Sequence, residues 1–331
     1  MQITAEHPKS QTVENDSTSL EVICRPIRKE LVEFEKELAR VCNVPEIQPF
    51  LRGGKRLRPA LVFLSSRFGD GPCAKVARLA TAVETLHLAT LVHDDIIDHA
   101  KSRRGVNTIN TARGENTAIL TGDYLYAIFL ERSAGLGEIA LHSLSGALKD
   151  MVQAEFAQQK DLFNCAVDLK SYLRRTFKKS GSFLACCCKL GAFLAGAPMK
   201  TVLALEKFGF HAGISFQITD DLLDFKGRPD TLGKPVGQDI MQGLLTLPVI
   251  HVLANSPANV EIRDLIAKRD LHPDSIEFIA KAMREAGSLS YTAALASRYA
   301  YLAGRVLSAL PAESARDSLC ALLEFITTRE C

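Results

Sequence analysis

No Cys-x-x-Cys pair occurs in this 331-residue sequence. The nine cysteines (Cys24, Cys42, Cys73, Cys165, Cys186, Cys187, Cys188, Cys320 and Cys331) are odd in number, and three are consecutive. That placement argues against a zinc site and a disulfide framework. It predicts reduced thiols in a cytosol-like compartment. The Cys186–Cys188 run reads as small apolar side chains packed in a helix. An excess of one charge is missing too. Lys and Arg number 40 and Asp and Glu 38, a net charge of +2, so the basic footprint of a nucleic-acid binder is absent. No apolar leader opens the chain: residues 1–18 carry Glu6, Glu14 and Asp16 and read as a mobile polar tail, not a secretory signal. The most membrane-like stretch, Phe183 to Ala197, is broken by Lys189 and is too short to cross a bilayer. These absences predict a cytoplasmic protein with no membrane span and no nucleic-acid partner.

Alternating two-residue patterns are also scarce. Apolar residues recur instead at three- and four-residue steps, as in Ser19–Cys42, Lys75–Asp98 and Asn116–Leu130. Pro26 marks a helix start or kink, and Pro59 a first helical turn. Gly and Pro gather at Arg52–Gly54, Gly69–Pro72, Gly227–Gly237 and around Pro257 and Pro273, which read as loops. With 47% hydrophobic and 24% charged residues, the chain can bury a large core. No linker divides it into two composition classes. The expected fold class is all-α, one domain over residues 19–331.

Within these apolar helices an acidic cluster occurs twice. Asp94, Asp95 and Asp98 form one Asp-Asp-x-x-Asp set, and Asp220, Asp221 and Asp224 the other. On a helix, residues four apart share a face at about 6 Å along the axis, so Asp94 pairs with Asp98 and Asp220 with Asp224. A solvated acidic face fits poorly, because the neighbours are Leu, Val, Ile and Phe. Three like charges within two turns raise one another's pKa unless a cation intervenes. Carboxylate-only clusters suit hard divalent ions, Mg²⁺ above all, which also take substrate phosphate oxygens. Two clusters predict a polyphosphorylated ligand clamped between them.

Cations complement them. Gly53-Gly54 is followed by Lys55, Arg56 and Arg58, and the first acidic cluster by Lys101, Arg103 and Arg104. Arg forks bind phosphate bidentately, and Lys binds it as a point charge. His87 lies two turns before Asp94 on the same face, on the order of 10 Å away.

The ordered set GGKRLRP (53–59), LVHDDIIDHAKSRRG (91–105), TGDYL (121–125), FQITDDLLDF (216–225) and GKPVGQDIMQGLLTLP (233–248) resembles the trans-type polyprenyl (isoprenyl) diphosphate synthases, in their long-chain, octaprenyl- or heptaprenyl-like branch. The resemblance implies an isoprenoid-synthase-type helical bundle around a deep central cavity, in a homodimer. It implies three Mg²⁺ per site, held by the two acidic clusters, with Asp94, Asp98 and Asp220 as metal ligands. It assigns Lys55, Arg58, His87 and Arg104 to isopentenyl diphosphate. Arg103, Lys179, Ser180, Gln217 and Lys234 go to the allylic diphosphate, and Lys179 and Gln217 flank the developing carbocation. Three departures stand out. Ser180 replaces a common Thr and keeps its hydroxyl. Leu244 replaces a common Lys, removing one cation. The Gly-Glu-x-x-Gln segment reads Ala154-Glu155-Phe156-Ala157-Gln158.

The implied chemistry is a repeated head-to-tail condensation of isopentenyl diphosphate onto an allylic diphosphate. The leaving diphosphate is stabilised by Mg²⁺ and cations, apolar walls keep water from the cation, and the proton is lost to released pyrophosphate, since no side-chain base stands out. The tail should grow down the face of Thr90, Leu86 and Val83, past the small Ala89. No aromatic blocks that face ahead of Asp94, which predicts a product longer than geranylgeranyl diphosphate, of the kind used for quinone side chains. The alternative floor is Tyr124, Tyr126 or Phe129, giving a farnesyl or geranylgeranyl diphosphate synthase. Release of a long product suggests peripheral membrane contact. The rival readings are an all-α metal-dependent phosphohydrolase using His93-Asp94, a terpene cyclase, and a non-catalytic synthase subunit.

Overall fold

Helical periodicity carries through to the three-dimensional structure. The computed structural model describes residues 20–51, 54–103, 105–226, 237–311 and 314–328. The first predicted helix divides at Pro26: a 3₁₀ turn, Arg25–Ile27, separates Leu20–Ile23 from α1 (Arg28–Val41). Proline's missing N–H and its fixed φ suit that first turn. There follow α2 (Leu57–Ser66), α3 (Ala74–Ile97), α4 (Glu115–Ala134), α5 (Glu138–Lys160) and α6 (Leu169–Thr176). Next come α7 (Ser182–Leu194), α8 (Met199–Lys226), α9 (Leu247–Asn255) and α10 (Asn259–Lys268). The chain closes with α11 (Pro273–Glu285), α12 (Ser288–Ser308) and α13 (Ser314–Thr328). Among the described residues the β content is one small antiparallel ladder, Ser102–Arg103 with Val106–Asn107.

Two apolar cores meet on α8. Val202, Leu205, Phe208 and Ala212 join the core built on α2, α3, α4 and α7, whereas Ile214, Ile218 and Phe225 join the one built on α9, α10 and α11. The helix is thus apolar nearly all round, as a central helix must be. The Cys186–Cys188 run is buried on α7 in the first core, and burial pushes the Cys186 thiol up to about 12. These thiols are poor nucleophiles and act as packing.

Helices α2, α7 and α8 are joined by backbone-to-backbone contact. A Cβ on Gly209 of α8 would lie 2.5 Å from the Leu184 carbonyl oxygen of α7, and one on Gly213 would lie 2.5 Å from that of Ser180. Gly191 of α7 meets the Val62 carbonyl of α2 in the same way, at 2.4 Å. Between α6 and α7 the helix widens into a π-helical turn, Phe177–Gly181. Such turns interrupt the regular ladder and recur at functional sites. Here the turn carries Lys179 and Ser180.

Candidate active site

The N-terminus of α2, the face of α3, the π turn and the middle of α8 all open onto one cavity of about 1020 Å³. Lys55, Arg58, His87, Thr90, Asp94 and Arg103 line it, as do Lys179, Ser180, Gln217 and Asp220. One carboxylate from each acidic cluster therefore reaches the same space. Arg104 and Lys234 lie outside the described residues, as do the 1–18 tail and most of the Gly227–Gly237 loop.

The six aspartates divide by task. Asp94 lines the cavity, and burial, with Glu155 and Asp98 nearby, pushes its pKa from 3.8 to about 6 although Lys179 and Arg103 pull it down. Asp98 is also raised, mainly by burial. Asp95 is 2% exposed and holds Arg103, whose Nε and Nη2 both donate to its Oδ1 at 2.8 and 2.7 Å. It therefore aims a cation at the cavity. Asp221 is 4% exposed; its Oδ2 accepts from the Tyr172 hydroxyl at 2.6 Å and its Oδ1 from Gln217 Nε2 at 3.0 Å. Asp224 accepts the backbone N–H groups of Gln238 (3.1 Å) and Asp239 (3.2 Å), and so anchors the returning chain.

The cations are held by partners that the motifs do not reveal. Lys179 Nζ donates to Glu155 Oε2 at 2.8 Å and Gln158 Oε1 at 3.3 Å, which gives the variant Glu-x-x-Gln segment on α5 a structural role. Burial pulls the Lys179 pKa down, but Asp94, Glu155 and Asp98 outweigh it, so the ammonium stays charged. Lys55 lies over the Phe325 ring at 5.4 Å and Arg58 over Phe183 at 5.1 Å, cation–π contacts that steady both. Arg56, between them, takes a different course. Its backbone is left-handed (φ 46°), and its guanidinium bonds Glu84 of α3 (2.9 Å), Glu35 of α1 (2.6 Å) and the Leu51 carbonyl. Arg56 borders the cavity too, but these bonds engage its guanidinium in tying the loop down. His93 packs on Tyr126 and points Nε2 towards the Ile119 carbonyl at 3.3 Å, in the space left by Gly122, where a Cβ would come within 2.0 Å of the ring. The TGDYL motif is thus a packing requirement for α3 against α4.

Thr90 lines the cavity, whereas Leu86 and Ala89 are fully buried in the first core behind it. Of the aromatics named as a possible floor, Tyr126 lines the cavity, Phe129 is buried and Tyr124 is exposed.

Among the described residues no three His, Cys, Asp or Glu side chains already converge as a metal cage. Mg²⁺ does not require one, since it keeps several waters and binds through one or two carboxylates plus substrate phosphate oxygens. Asp94 and Asp220 supply that kind of oxygen donor, and Asp94 carries a charge that the surroundings leave poorly compensated. The residues fit the ion. They do not fit a histidine-rich hydrolase centre. A pH dependence follows. Because folding raises the Asp94 pKa, the stability linked to this group is fully present below the ordinary carboxylate range and is lost as pH rises through about 6. A divalent cation competes with that proton. Mg²⁺ affinity, read by calorimetric titration, should therefore weaken below about pH 6, at most about tenfold per pH unit.

Residues 44–283 match the family described as Polyprenyl synthetase. The heptaprenyl diphosphate synthase component 2 of Geobacillus stearothermophilus is 39% identical over 279 residues, 84% of this chain and 87% of that protein. The chloroplastic solanesyl diphosphate synthase 2 of Arabidopsis thaliana is 34% identical over 84% of this chain and 68% of its own length. Among solved structures, a polyprenyl synthase of Caulobacter crescentus CB15, complexed with calcium and isoprenyl diphosphate, superposes with a TM-score of 0.90 at 27% identity, over 96% of this chain and 100% of that one. With one cavity receiving a carboxylate from each acidic cluster and the cations around them, and with likeness along most of its length, this chain belongs to the polyprenyl synthetase family of prenyltransferases.

Proposed function

We propose that the protein condenses isopentenyl diphosphate head-to-tail onto an allylic diphosphate, in repeated cycles, to make an all-trans polyprenyl diphosphate longer than geranylgeranyl. A product of that kind would serve as a quinone side chain. The observation that carries this reading is the meeting of Asp94 and Asp220, from separate helices, in one cavity with basic side chains that include Lys55, Arg58, His87, Arg103 and Lys179. Heptaprenyl and solanesyl synthases among its relatives support a long product.

The residues divide the work between two diphosphates. Lys55, Arg58 and His87 face one, on the α2 side. Arg103, aimed by Asp95, and Lys179, held by Glu155, face the other. Asp94, Asp98 and Asp220 would hold Mg²⁺, which when bound neutralises the departing diphosphate as a Lewis acid. As the allylic carbon–oxygen bond breaks, Lys179 and Arg103 stabilise the charge growing on the leaving group. The Gln217 carbonyl and Ser180 hydroxyl present oxygen to the carbon left electron-poor. The isopentenyl double bond attacks that carbon. A proton then leaves the carbon next to the new cation for the released pyrophosphate, restoring a double bond. Leu91, Met151, Phe183 and Phe216 line the same cavity and exclude water from the cation.

Purified protein given Mg²⁺, isopentenyl diphosphate and farnesyl diphosphate should yield products beyond C20 on sizing; phosphate release without elongation would refute the reading. Thr90→Phe, which thrusts a ring into the cavity wall, should shorten the product, and an unchanged distribution would remove Thr90 from the tail's path.

The same reading takes residues 19–331 as one domain, because both apolar cores share α8, and takes the assembly as a homodimer. Leu120 and Tyr124 on α4 and Val152 and Phe156 on α5 are 68, 42, 41 and 73% exposed, an apolar face that a second copy would cover. A relative named as a component makes a different subunit the competing occupant. Light scattering of the purified chain separates a dimer of one chain from a monomer awaiting a partner. No helix among the described residues is long and apolar enough to cross a membrane. The eight described cysteines are unpaired, which supports a cytoplasmic site of action.

A further inference from the structure

Asp221 follows directly on Asp220, yet it contributes nothing to the cavity surface. Both of its carboxylate oxygens are already engaged, one by Tyr172 of α6 and one by Gln217 of its own helix. Tyr172 is 2% exposed, so this hydroxyl is shielded from solvent. Gln217 does reach the cavity, and its Oε1 accepts from Ser180 Oγ at 2.7 Å. The four residues form one chain running from α6, through α8, to the π turn that also carries Lys179.

The chain has a direction imposed by charge. Only the NH₂ end of an amide can face a carboxylate, because the carbonyl end would be repelled. Asp221 therefore decides which way the Gln217 amide is turned: nitrogen inward, oxygen toward Ser180 and the cavity. That oxygen has a second lone pair, and a carbonyl dipole held in place stabilises an electron-poor carbon better than one that must reorient. The carboxylate, in turn, is held by two donors. Without the tyrosine hydroxyl, Oδ2 loses its bond, the carboxylate can turn about its last torsion, and the amide turns with it.

We propose that Tyr172 is a positioning residue of the condensation: through Asp221 it keeps the Gln217 carbonyl pointed at the site where the allylic cation develops. This rests on the prenyl-elongation reading above. It gives Asp221 a task distinct from that of Asp220.

The test uses the full-length protein with Mg²⁺, farnesyl diphosphate and isopentenyl diphosphate. Tyr172→Phe should lower kcat by roughly 10- to 100-fold, with KM for both diphosphates within about twofold of wild type, since the cations that hold the two diphosphates are unchanged. In a Gln217→Leu background the same substitution should cost nothing further, because the carbonyl it positions is gone. Thermal melts show that each variant is folded. Should Tyr172→Phe fail to fold, Asp221→Asn takes its place: its side chain can serve Tyr172 or Gln217 as an acceptor but not both, and it should show the same kcat-specific loss. Wild-type kcat in Tyr172→Phe, or full additivity with Gln217→Leu, would overturn the inference while leaving the elongation reading intact. A wild-type enzyme that does not elongate would overturn both.

Discussion

Replacing Asp94 by Asn should cripple elongation and stabilise the metal-free protein at once. The side chain lines the cavity and carries a pKa raised to about 6, so at pH 7 the fold holds an anion that burial disfavours. Asparagine keeps the shape and removes the charge. The thermal midpoint of the metal-free variant should rise above that of wild type at pH 7, and the gap should close toward pH 4, where wild-type Asp94 is itself neutral. Activity should fall by about 10³-fold, the scale expected when a group that orders a metal and its diphosphate is lost. The two measurements work against each other. A residue kept only for packing would lose neither charge-linked strain nor catalysis. If Asp94→Asn elongates at the wild-type rate, or if its metal-free midpoint is lower, the assignment of Asp94 to a cation is wrong.

The second large effect concerns backbone contact. A methyl group on Gly213 would lie 2.5 Å from the Ser180 carbonyl oxygen and 3.0 Å from Gly181 Cα, and neither can swing aside as a flexible side-chain tip could. Gly213→Ala should therefore push α8 from the π turn, with a loss of stability of about 1–3 kcal/mol. Activity should fall further than stability alone explains, because Lys179 and Ser180 sit on that turn and Gln217 and Asp220 lie one to two helical turns along α8. Gly146 provides the contrast. It lies within α5, is exposed, and has nothing within 4 Å of a built Cβ. Gly146→Ala should raise stability by up to about 1 kcal/mol, since alanine is the better helix former, and leave turnover unchanged. Urea unfolding of both variants, set beside initial rates, checks the pair.

Much of this was legible because helical periodicity and charge are local signals. The all-α class follows from three- and four-residue apolar steps, and the observed bounds of α3 and α4 differ from the sequence reading by a few residues at most. The acidic doublets and the cations were legible as residue types at a spacing. Their division of labour was not. Asp94, Asp95 and Asp98 look alike in sequence, but Asp95 is taken by Arg103, and Asp221 by a tyrosine 49 positions away. Arg56 and Arg58 stand two positions apart and both border the cavity, yet one guanidinium is spent on Glu84 and Glu35 while the other lies over the Phe183 ring. The π turn has no composition signal, since one extra residue in a helical turn leaves the pattern almost unchanged. Small residues ahead of Asp94 suggested an open tunnel, but of these Thr90 meets the cavity while Ala89 serves the core. Pairings between distant helices are what a periodic reading cannot supply.

The glycine contacts that lock α2, α7 and α8 together also bear on how such a protein can change over evolutionary time. Arg58, Lys179, Ser180, Gln217 and Asp220 are all carried by those three helices or the π turn that opens α7, where even a methyl group is refused at the seams. Drift there is penalised in stability and chemistry together. Tyr126, Met151, Val152 and Phe156, on α4 and α5, border the same cavity without being bound into those seams. Descendants of this chain can therefore alter the room given to a hydrocarbon tail on one flank while inheriting the ionising machinery of the other unaltered.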